Sequence, residues 1–291
     1  FVEAALMGRA GYEVWLALDL SGSYEESPPS LLDELKRDRR WCQGNLQHFR
    51  LLLADGIRTG HRAIFALGIM AYVSALFWAG FLVLNTIELT TVSLVVPNYF
   101  SSQPSLFPTW PQWHPEWAIA LATTTALLLF VPKLLSFLLL VKWGATARFG
   151  GVAALAASIF LEVLISTLLA PSRMWLHTKF VLLTLFGRTI KWNAQHRGCP
   201  AGTSWGEAAH AHGAATLATC LWLTAVYWIS PTAVFWLLPI AIPLLLAIPL
   251  SVCSSRTSFG RAAWRCGLFL IPEERFCPPV LDDLQSLMAA P

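Results

Sequence analysis

The chain has 291 residues, of which 56% are apolar and 13% charged, whereas about a quarter of the residues of a typical soluble domain are charged. Its mean hydropathy is +0.56, and its net charge of +3 is too small and dispersed to indicate a nucleic-acid partner. This composition excludes an ordinary soluble domain and predicts a membrane protein. Of its 37 charged side chains, 17 lie in residues 1–62, so we expect a water-facing segment before a long membrane region.

The first 40 residues have the pattern of a small piece of an α/β domain. Residues 1–10 predict a short helix that ends at Gly11, and residues 12–20 are rich in aromatic and apolar side chains, which is typical of a strand. Ser30 and Asp33 predict a capping pair for a helix that begins LLDELKRDRRW. A helix, a strand, a turn and a helix are too few to bury a core of their own.

Residues 41–62 are expected to form an amphipathic helix region at the membrane surface, with Cys42, Leu46, Phe49 and Leu53 on one stripe. The predicted transmembrane domain covers residues 63–252, followed by a tail over 253–291. Its spans are predicted near 63–87, 117–141, 151–170, 172–187, 213–229 and 232–252. The expected fold class is a mainly α, polytopic membrane protein with about six transmembrane helices, preceded by an α/β remnant in residues 1–40.

The distribution of Lys and Arg predicts the orientation of the chain. Residues 88–116 contain no Lys or Arg, so this loop is predicted to face the periplasm or exterior. Residues 1–62, the basic loop 188–212 and the tail are predicted to be cytoplasmic. This arrangement requires an even number of crossings within 151–187. We favour two, and the alternative is a broken interfacial hairpin bent at Pro171.

Two further features concern cofactors and chain boundaries. The six cysteines show no CxxC pair and no His/Cys cluster with metal-ligand spacing, so no metal site is predicted within this chain. The sequence begins at Phe1 and shows no signal peptide. We therefore expect it to be part of a longer protein.

The segment Lys36 to Trp41 carries the chemistry that is easiest to interpret. Helical spacing places Arg37, Arg40 and Trp41 on one face. Guanidinium groups bind phosphate oxygens in a bidentate manner, and an indole can stack on a sugar ring. These three residues therefore suit a site for a phosphate-bearing donor beside a sugar. The alternative is a basic anchor for anionic lipid, and the residues alone favour that alternative by roughly two to one because basic clusters commonly flank spans.

The sequence RDRRW over 37–41 fits the [Q/R]xxRW pattern of processive family 2 glycosyltransferases. Longer blocks resemble one branch of that family, the inner-membrane synthases of osmoregulated periplasmic glucans in Gram-negative bacteria. These blocks are residues 1–46, LFPTWPQWHPEWAIAL (106–121), LLAPSRMWLHT (168–178), TSWGEA (203–208), SSR (254–256) and LFLIPEE (268–274). The resemblance thus covers nearly the whole chain.

The resemblance implies a glucosyltransferase that polymerises glucose from UDP-glucose into β-glucan for the periplasm. It implies a GT-A catalytic domain whose DxD motif holds a divalent metal, Mg or Mn, and whose acidic base accepts a proton from the growing glucan. This chain contains no DxD, and the base is expected upstream of Phe1. On this basis residues 1–40 are the end of the GT-A domain, Arg37 and Arg40 bind the donor, and Trp41 binds the acceptor sugar.

The same resemblance implies several partners, namely the lipid bilayer and possible contacts with acyl carrier protein and a periplasmic glucan-processing protein. No catalytic residue is expected within this chain. We therefore expect this chain alone to be inactive.

Ionisable side chains within predicted spans are candidates for a translocation path, because charges in lipid are costly and often functional. Glu162 is the main candidate, with Arg173 and His177 as possible partners across Pro171, while Lys133 is expected to extend towards the cytoplasmic end of its span. An equally plausible role for Glu162 is a hydrogen bond that fixes helix packing.

Two other functions stay open at the level of the sequence. One is a non-catalytic membrane channel, transporter or scaffold, for which the basic cluster would be a lipid anchor. The other is a processive synthase of a different polymer that shares only the RxxRW motif.

Overall fold

The fold is taken from a computed structural model of the chain, which describes residues 1–17, 19–20, 22–25, 27–94, 114–188 and 202–289. The regular structure of these residues is entirely helical, and they contain no strand. The helices are α1 Val2–Arg9, α2 Leu31–Gln47, α3 Phe49–Leu52, α4 Thr59–Leu94, α5 Pro115–Lys142, α6 Val152–Leu185, α7 Trp205–Ile229, α8 Val234–Leu245, α9 Ala247–Ser254, α10 Thr257–Arg265, α11 Pro272–Arg275 and α12 Pro279–Ala289, with 3₁₀ turns at Ala145–Phe149 and Pro231–Ala233. The predicted mainly α membrane fold is confirmed.

The segment after α1 differs from the prediction. Helix α1 ends at Arg9, and Gly11 has a φ of +91°, as expected of a glycine after a helix. However, the described residues of 12–20 form no strand, and Trp15 is 84% exposed. A strand requires a neighbouring strand to satisfy its backbone N–H and C=O groups, and the described part of the chain supplies none. The predicted strand is therefore wrong, and the described residues of 1–40 show no α/β remnant.

The boundary predicted at residue 41 lies in the middle of a helix. Helix α2 runs without interruption from Leu31 to Gln47. On the predicted amphipathic stripe Cys42 is buried, whereas Phe49 is 61% and Leu53 is 78% exposed. The stripe is thus buried against protein only at its beginning.

Within the described ranges, three helices are long and apolar enough to cross a membrane, namely α4, α5 and α6. The bent pair of residues 231–245 with 247–254 makes a fourth if it is a single span. Helix α4 contains the predicted span 63–87, and α5 contains 117–141. Helix α7, which contains the predicted span 213–229, does not pass this test in the described residues. The structure thus gives three to four candidate spans where about six were predicted.

Helix α6 is the main reason for this difference. It is a single helix of 34 residues, with Pro171 inside it, so the predicted division into crossings at 151–170 and 172–187 is corrected. Proline lacks one backbone donor, but a transmembrane helix tolerates this loss when nearby groups satisfy the freed carbonyl. At 1.5 Å per residue, α6 is about 51 Å long, longer than the hydrocarbon core of about 30 Å.

The chain divides into two compact units. The first comprises Phe1–Thr90 and Thr167–Gly260, and the second comprises Thr91–Ser166 and Arg261–Pro291. Residues 95–113 and 189–201 lie outside the described residues. These ranges include most of the predicted periplasmic loop 88–116 and most of the basic loop 188–212.

The first unit has two buried apolar clusters. The larger one joins α2, α4 and the second half of α6, and its buried members are Leu31, Leu35, Cys42, Tyr72, Leu176, Phe180 and Val181. The smaller one joins α1 to the start of α4 through Ala5, Ile57 and Phe65. Elsewhere in this unit, Thr216 of α7 donates a hydrogen bond to the carbonyl of Leu244 in α8 at 3.2 Å.

Few described residues of the second unit are buried by protein. No residue of α5 is buried, which suits a helix that is surrounded by lipid. The backbone N–H of Phe269 donates to Ser158 Oγ at 2.9 Å. Gly150 has a φ of +91°, and a Cβ there would lie 3.0 Å from the carbonyl oxygen of Gly267. These contacts attach the segment after α10 to the start of α6.

Candidate functional site

The start of α2 is fixed by the predicted cap. The backbone N–H of Asp33 donates to Ser30 Oγ at 3.2 Å, and the Ser30 hydroxyl donates to the Asp33 carboxylate at 2.8 Å. Because the cap sets where the helix begins, it also sets which residues face the core. Leu31, Leu35 and Cys42 are buried, so the predicted helix start is confirmed.

The exposed side of α2 brings two of the three predicted ligand-binding residues into contact. The guanidinium carbon of Arg37 lies 4.4 Å from the centroid of the Trp41 ring, which is a cation–π contact across one helical turn. Arg40 lies between them in sequence and is half-buried. Trp41 is 52% exposed, so an indole face next to a guanidinium is available to a ligand.

The Arg37 guanidinium also has an unused donor. Its Nε is buried and has no hydrogen-bond partner, whereas buried polar groups are normally hydrogen-bonded. A phosphate oxygen is the kind of acceptor that would satisfy it. Because this atom is buried, a ligand would reach it only after movement of the Arg37 side chain.

A second row of side chains on α2 forms hydrogen bonds and ion pairs with side chains of α6. Arg173 donates through Nη2 to both carboxylate oxygens of Glu34, at 2.8 and 3.1 Å. His177 Nε2 lies 3.2 Å from Asp38 Oδ2. The two acidic residues are one turn apart on α2, and their two basic partners are one turn apart on α6. Together they form two parallel bridges between the helices.

Aromatic rings lie beside the inner of the two bridges, between His177 and Asp38; the outer bridge is the one between Arg173 and Glu34. The His177 ring lies 5.2 Å from the ring of Tyr72 and 6.1 Å from that of Phe180, measured between centroids. His177 and Asp38 side chains are each only 14% exposed. Water is therefore largely excluded from this pair, and the pair is held within the larger apolar cluster of the first unit.

Cys42 follows Trp41 but is not a chemical group of the site. Burial, with a smaller contribution from the nearby Asp38 carboxylate, raises the pKa of its thiol to about 12. The thiolate is the nucleophilic form of cysteine, and this thiol stays protonated at neutral pH. Cys42 therefore acts as a small apolar residue of the core.

The predicted partners of Glu162 are corrected. In the second unit, Glu162 forms an ion pair with Lys133 of α5, and Ser166 donates to Glu162 at 2.6 Å. Arg173 and His177, the partners expected from the sequence, instead contact Glu34 and Asp38 of α2. Lys133, which was expected to extend towards the end of its span, contacts Glu162. Pairing between helices depends on tertiary packing, which spacing along one helix does not give.

Two features of the site were missed in the sequence. Asp38 lies inside the RDRRW motif and Glu34 one turn before it, and their shared face was the available signal. In the block TSWGEA, Ser204 and Glu207 form a capping box at the start of α7, for which the S-x-x-E spacing was a visible signal.

No group of three or more His, Cys, Asp or Glu that could hold a metal occurs in the described ranges. The divalent metal implied by the resemblance, with ligands outside this chain, stays a prediction.

Comparison with known proteins gives relatives that match nearly all of the chain. It is 54% identical over 286 residues to glucans biosynthesis glucosyltransferase H of Cupriavidus pinatubonensis, which is 98% of this chain and 33% of that protein. The proteins of the same name from Pseudomonas entomophila (54% over 281 residues) and Pseudomonas aeruginosa strain LESB58 (53% over 278 residues) are similar over 97% and 96% of this chain. No family model and no solved structure matches. The chain spans about a third of the length of these relatives, and the predicted resemblance is confirmed.

Proposed function

We propose that this chain is the membrane part of an inner-membrane glucosyltransferase. Nearly its whole length is similar to a third of glucans biosynthesis glucosyltransferase H. The complete enzyme would polymerise glucose from UDP-glucose into β-glucan for the periplasm. The observation that carries the proposal is the identity of 54% across 98% of the chain, including the helix with Arg37 and Trp41. The names of the relatives support a glucosyl donor and a glucan product.

The proposed chemistry assigns the residues of α2 to binding. The acceptor hydroxyl attacks the anomeric carbon of the donor, the new C–O bond forms, and UDP leaves with the electron pair of the broken bond. Arg37 and Arg40 bind the diphosphate and offset the charge that develops on it. Trp41 stacks on the acceptor sugar, and the exposed indole beside the Arg37 guanidinium supports this arrangement.

The remaining parts of the reaction are assigned outside this chain. The divalent metal and the acidic base that accepts the proton are proposed to lie in the other two thirds of the enzyme. Glu162 is proposed to line the path of the glucan, together with Lys133. Residues 1–62, 188–212 and the tail are proposed to be cytoplasmic, and residues 88–116 periplasmic. Acyl carrier protein and a glucan-processing protein are proposed partners.

The test is the Trp41→Ala substitution in the complete protein that contains this chain. The measured quantity is the incorporation of labelled glucose from UDP-glucose into polymer by membrane vesicles. We expect a loss of about tenfold or more, equivalent to at least about 1.4 kcal/mol of transition-state stabilisation. The amount of protein in the membrane should not change, because Trp41 is half-exposed and outside the buried clusters.

The matched control is Trp264→Ala, since Trp264 is 53% exposed, compared with 52% for Trp41. This control should retain incorporation within about twofold, which is the margin expected of a surface substitution. Normal incorporation by the Trp41→Ala protein would overturn the proposed acceptor site. Absence of incorporation by the unmodified protein would favour a channel or scaffold without catalysis.

A separate measurement concerns the 291-residue chain alone. It should not consume UDP-glucose, because the metal-binding and base residues are proposed to lie elsewhere. Turnover by the purified chain would contradict this division of labour.

A further inference from the structure

We propose that Arg173 and His177 of α6 are positioning residues that hold the ligand-binding face of α2 through Glu34 and Asp38. We call these four residues the α2 clamp. The inference rests on the proposed function, because positioning matters only if α2 binds donor and acceptor. It assigns Arg173 and His177 a role different from the translocation path.

The register of the clamp supports this role. Each bridge joins residues that are 139 positions apart in sequence. The two bridges are four residues apart on α2 and four residues apart on α6. A single bridge would leave α2 free to turn about one point. Two bridges separated by four residues, about 6 Å along the axis, fix both the rotation and the axial position of α2.

The clamp lies beside the ligand-binding row. At 100° per residue, Glu34 and Trp41 differ by about 20° around the helix axis, and Arg37 and Asp38 lie to either side of them. Consequently a rotation of α2 that breaks the bridges also turns Arg37 and Trp41 away from their present direction. Leu31 and Leu35, which are buried, support the same orientation from the other side of the clamp.

The exposure of the bridges argues for orientation rather than stability. The Arg173 and Glu34 side chains are 36% and 30% exposed, and ion pairs in such positions contribute little to stability because they are screened by water. The inner bridge is drier, and its ring contacts with Tyr72 and Phe180 restrict the His177 side chain. Thus a substitution in the outer bridge, between Glu34 and Arg173, should change the apparent KM for UDP-glucose much more than it changes folding.

Charge reversal of the outer bridge in the complete protein provides the test. Glu34→Arg and Arg173→Glu, made singly, place two like charges within contact distance and should each raise the apparent KM for UDP-glucose by about fivefold or more. The double variant Glu34→Arg/Arg173→Glu restores an opposite pair, and its KM should return to within about twofold of the original value. A path-lining role for Arg173 does not predict this mutual rescue, and a purely structural role would change the amount of folded protein rather than its KM.

The neighbouring pair on the same helix supplies a control. Lys36 forms an ion pair with Asp33 at 2.9 Å and is 67% exposed. Lys36→Glu changes the charge by −2, as Arg173→Glu does, but it breaks no bridge to α6. Its KM for UDP-glucose should be unchanged within about twofold, so a general charge effect would be recognised.

If either reversed variant is missing from the membrane, the neutral variants Glu34→Gln and Arg173→Gln replace it. These should raise KM by about threefold each, and the double neutral variant should be no worse than either single one. Unchanged KM in the single variants, or no rescue in the double variant, overturns the clamp.

Failure of the clamp and failure of the proposed function give different patterns. If Trp41→Ala abolishes incorporation while the clamp variants behave like the original, only the clamp is wrong. If Trp41→Ala has normal incorporation, the proposed function of α2 is wrong, whatever the clamp variants do.

Discussion

The two units use ion pairs in different surroundings. In the first unit, Glu34 and Arg173 join helices at a partly exposed contact, beside a core of buried apolar residues. In the second unit, Lys133 and Glu162 pair within two candidate spans, where α5 has no residue buried by protein. The second pair is 39% and 44% exposed from protein, so protein does not shield it more than the first. The contrast comes from the expected solvent, since water screens the first pair and lipid around two candidate spans would not screen the second.

The largest expected effect is therefore at Glu162. The variant Glu162→Gln leaves the Lys133 ammonium without its counter-charge in a span, and breaking a pair of this kind costs about 3 kcal/mol or more. We expect a clearly lower thermal midpoint for the complete protein purified in detergent. The corresponding variant Glu34→Gln in the first unit should change the midpoint much less, because such pairs contribute only about 0–1 kcal/mol.

Removal of both charges is the control for this prediction. The double variant Lys133→Gln/Glu162→Gln contains no unpaired charge, so most of the lost stability should return. Lys142→Gln, at the last residue of α5, should have little effect because a side chain at a helix end can reach water. A midpoint unchanged by Glu162→Gln would mean that the pair is hydrated, and the contrast between the two units would fail.

A smaller effect is expected at Gly202, just before α7. Gly202 has a φ of +65°, and a Cβ there would lie 2.9 Å from the carbonyl oxygen of Ser255. Gly202→Ala combines a left-handed backbone with a clash against backbone, and it should cost about 1–3 kcal/mol. It should also weaken the bond from the Thr203 N–H to Ser255 Oγ, which is 2.8 Å long.

Hydrogen exchange measured by mass spectrometry tests this local effect. Faster exchange is expected at the start of α7 and the end of α9 in Gly202→Ala. Gly206→Ala is the matched control, because Gly206 is exposed and a Cβ there meets no atom within 4 Å. Equal exchange in both variants would show that the contact between Gly202 and Ser255 does not hold these ends together.

The parts of the fold that could be predicted are those with a local cause. Ser30 and Asp33 cap α2 as expected because a cap depends on residues three apart. The apolar stretches 63–87 and 117–141 lie within long helices because hydrophobic length alone determines such a segment. Arg37 and Trp41 are in contact because a helix brings residues four apart together.

The failures have non-local causes. The strand over 12–20 was predicted from residue preference, but a strand exists only with a partner. Pro171 was taken as a break, yet a membrane helix can continue through proline when neighbouring groups satisfy the backbone. The partners of Arg173 and His177 lie 139 residues away, and helical periodicity carries no information about a contact of that range.

The smallest effect is expected at the capping box of α7, where the pair is fully exposed. The Ser204 backbone N–H and hydroxyl both donate to Glu207 at 3.0 Å, and these bonds, the backbone bond first, lower the pKa of Glu207 from its usual 4.5. Because the folded pKa is depressed, the stabilisation from Glu207 is present above pH 4.5 and is lost as the pH falls through the folded pKa.

The thermal midpoint of the complete protein, measured from pH 7 down to pH 3, tests this sign. The difference between the original protein and Glu207→Gln should be largest near neutral pH and should shrink below pH 4.5. Ser204→Ala should lower the midpoint at pH 7, since loss of such a cap costs about 1 kcal/mol, and it should flatten the same pH dependence. Ser258→Ala, at an exposed serine of α10, should do neither. A difference that grows towards acid pH would reverse the assignment, because it would mean that folding favours protonated Glu207.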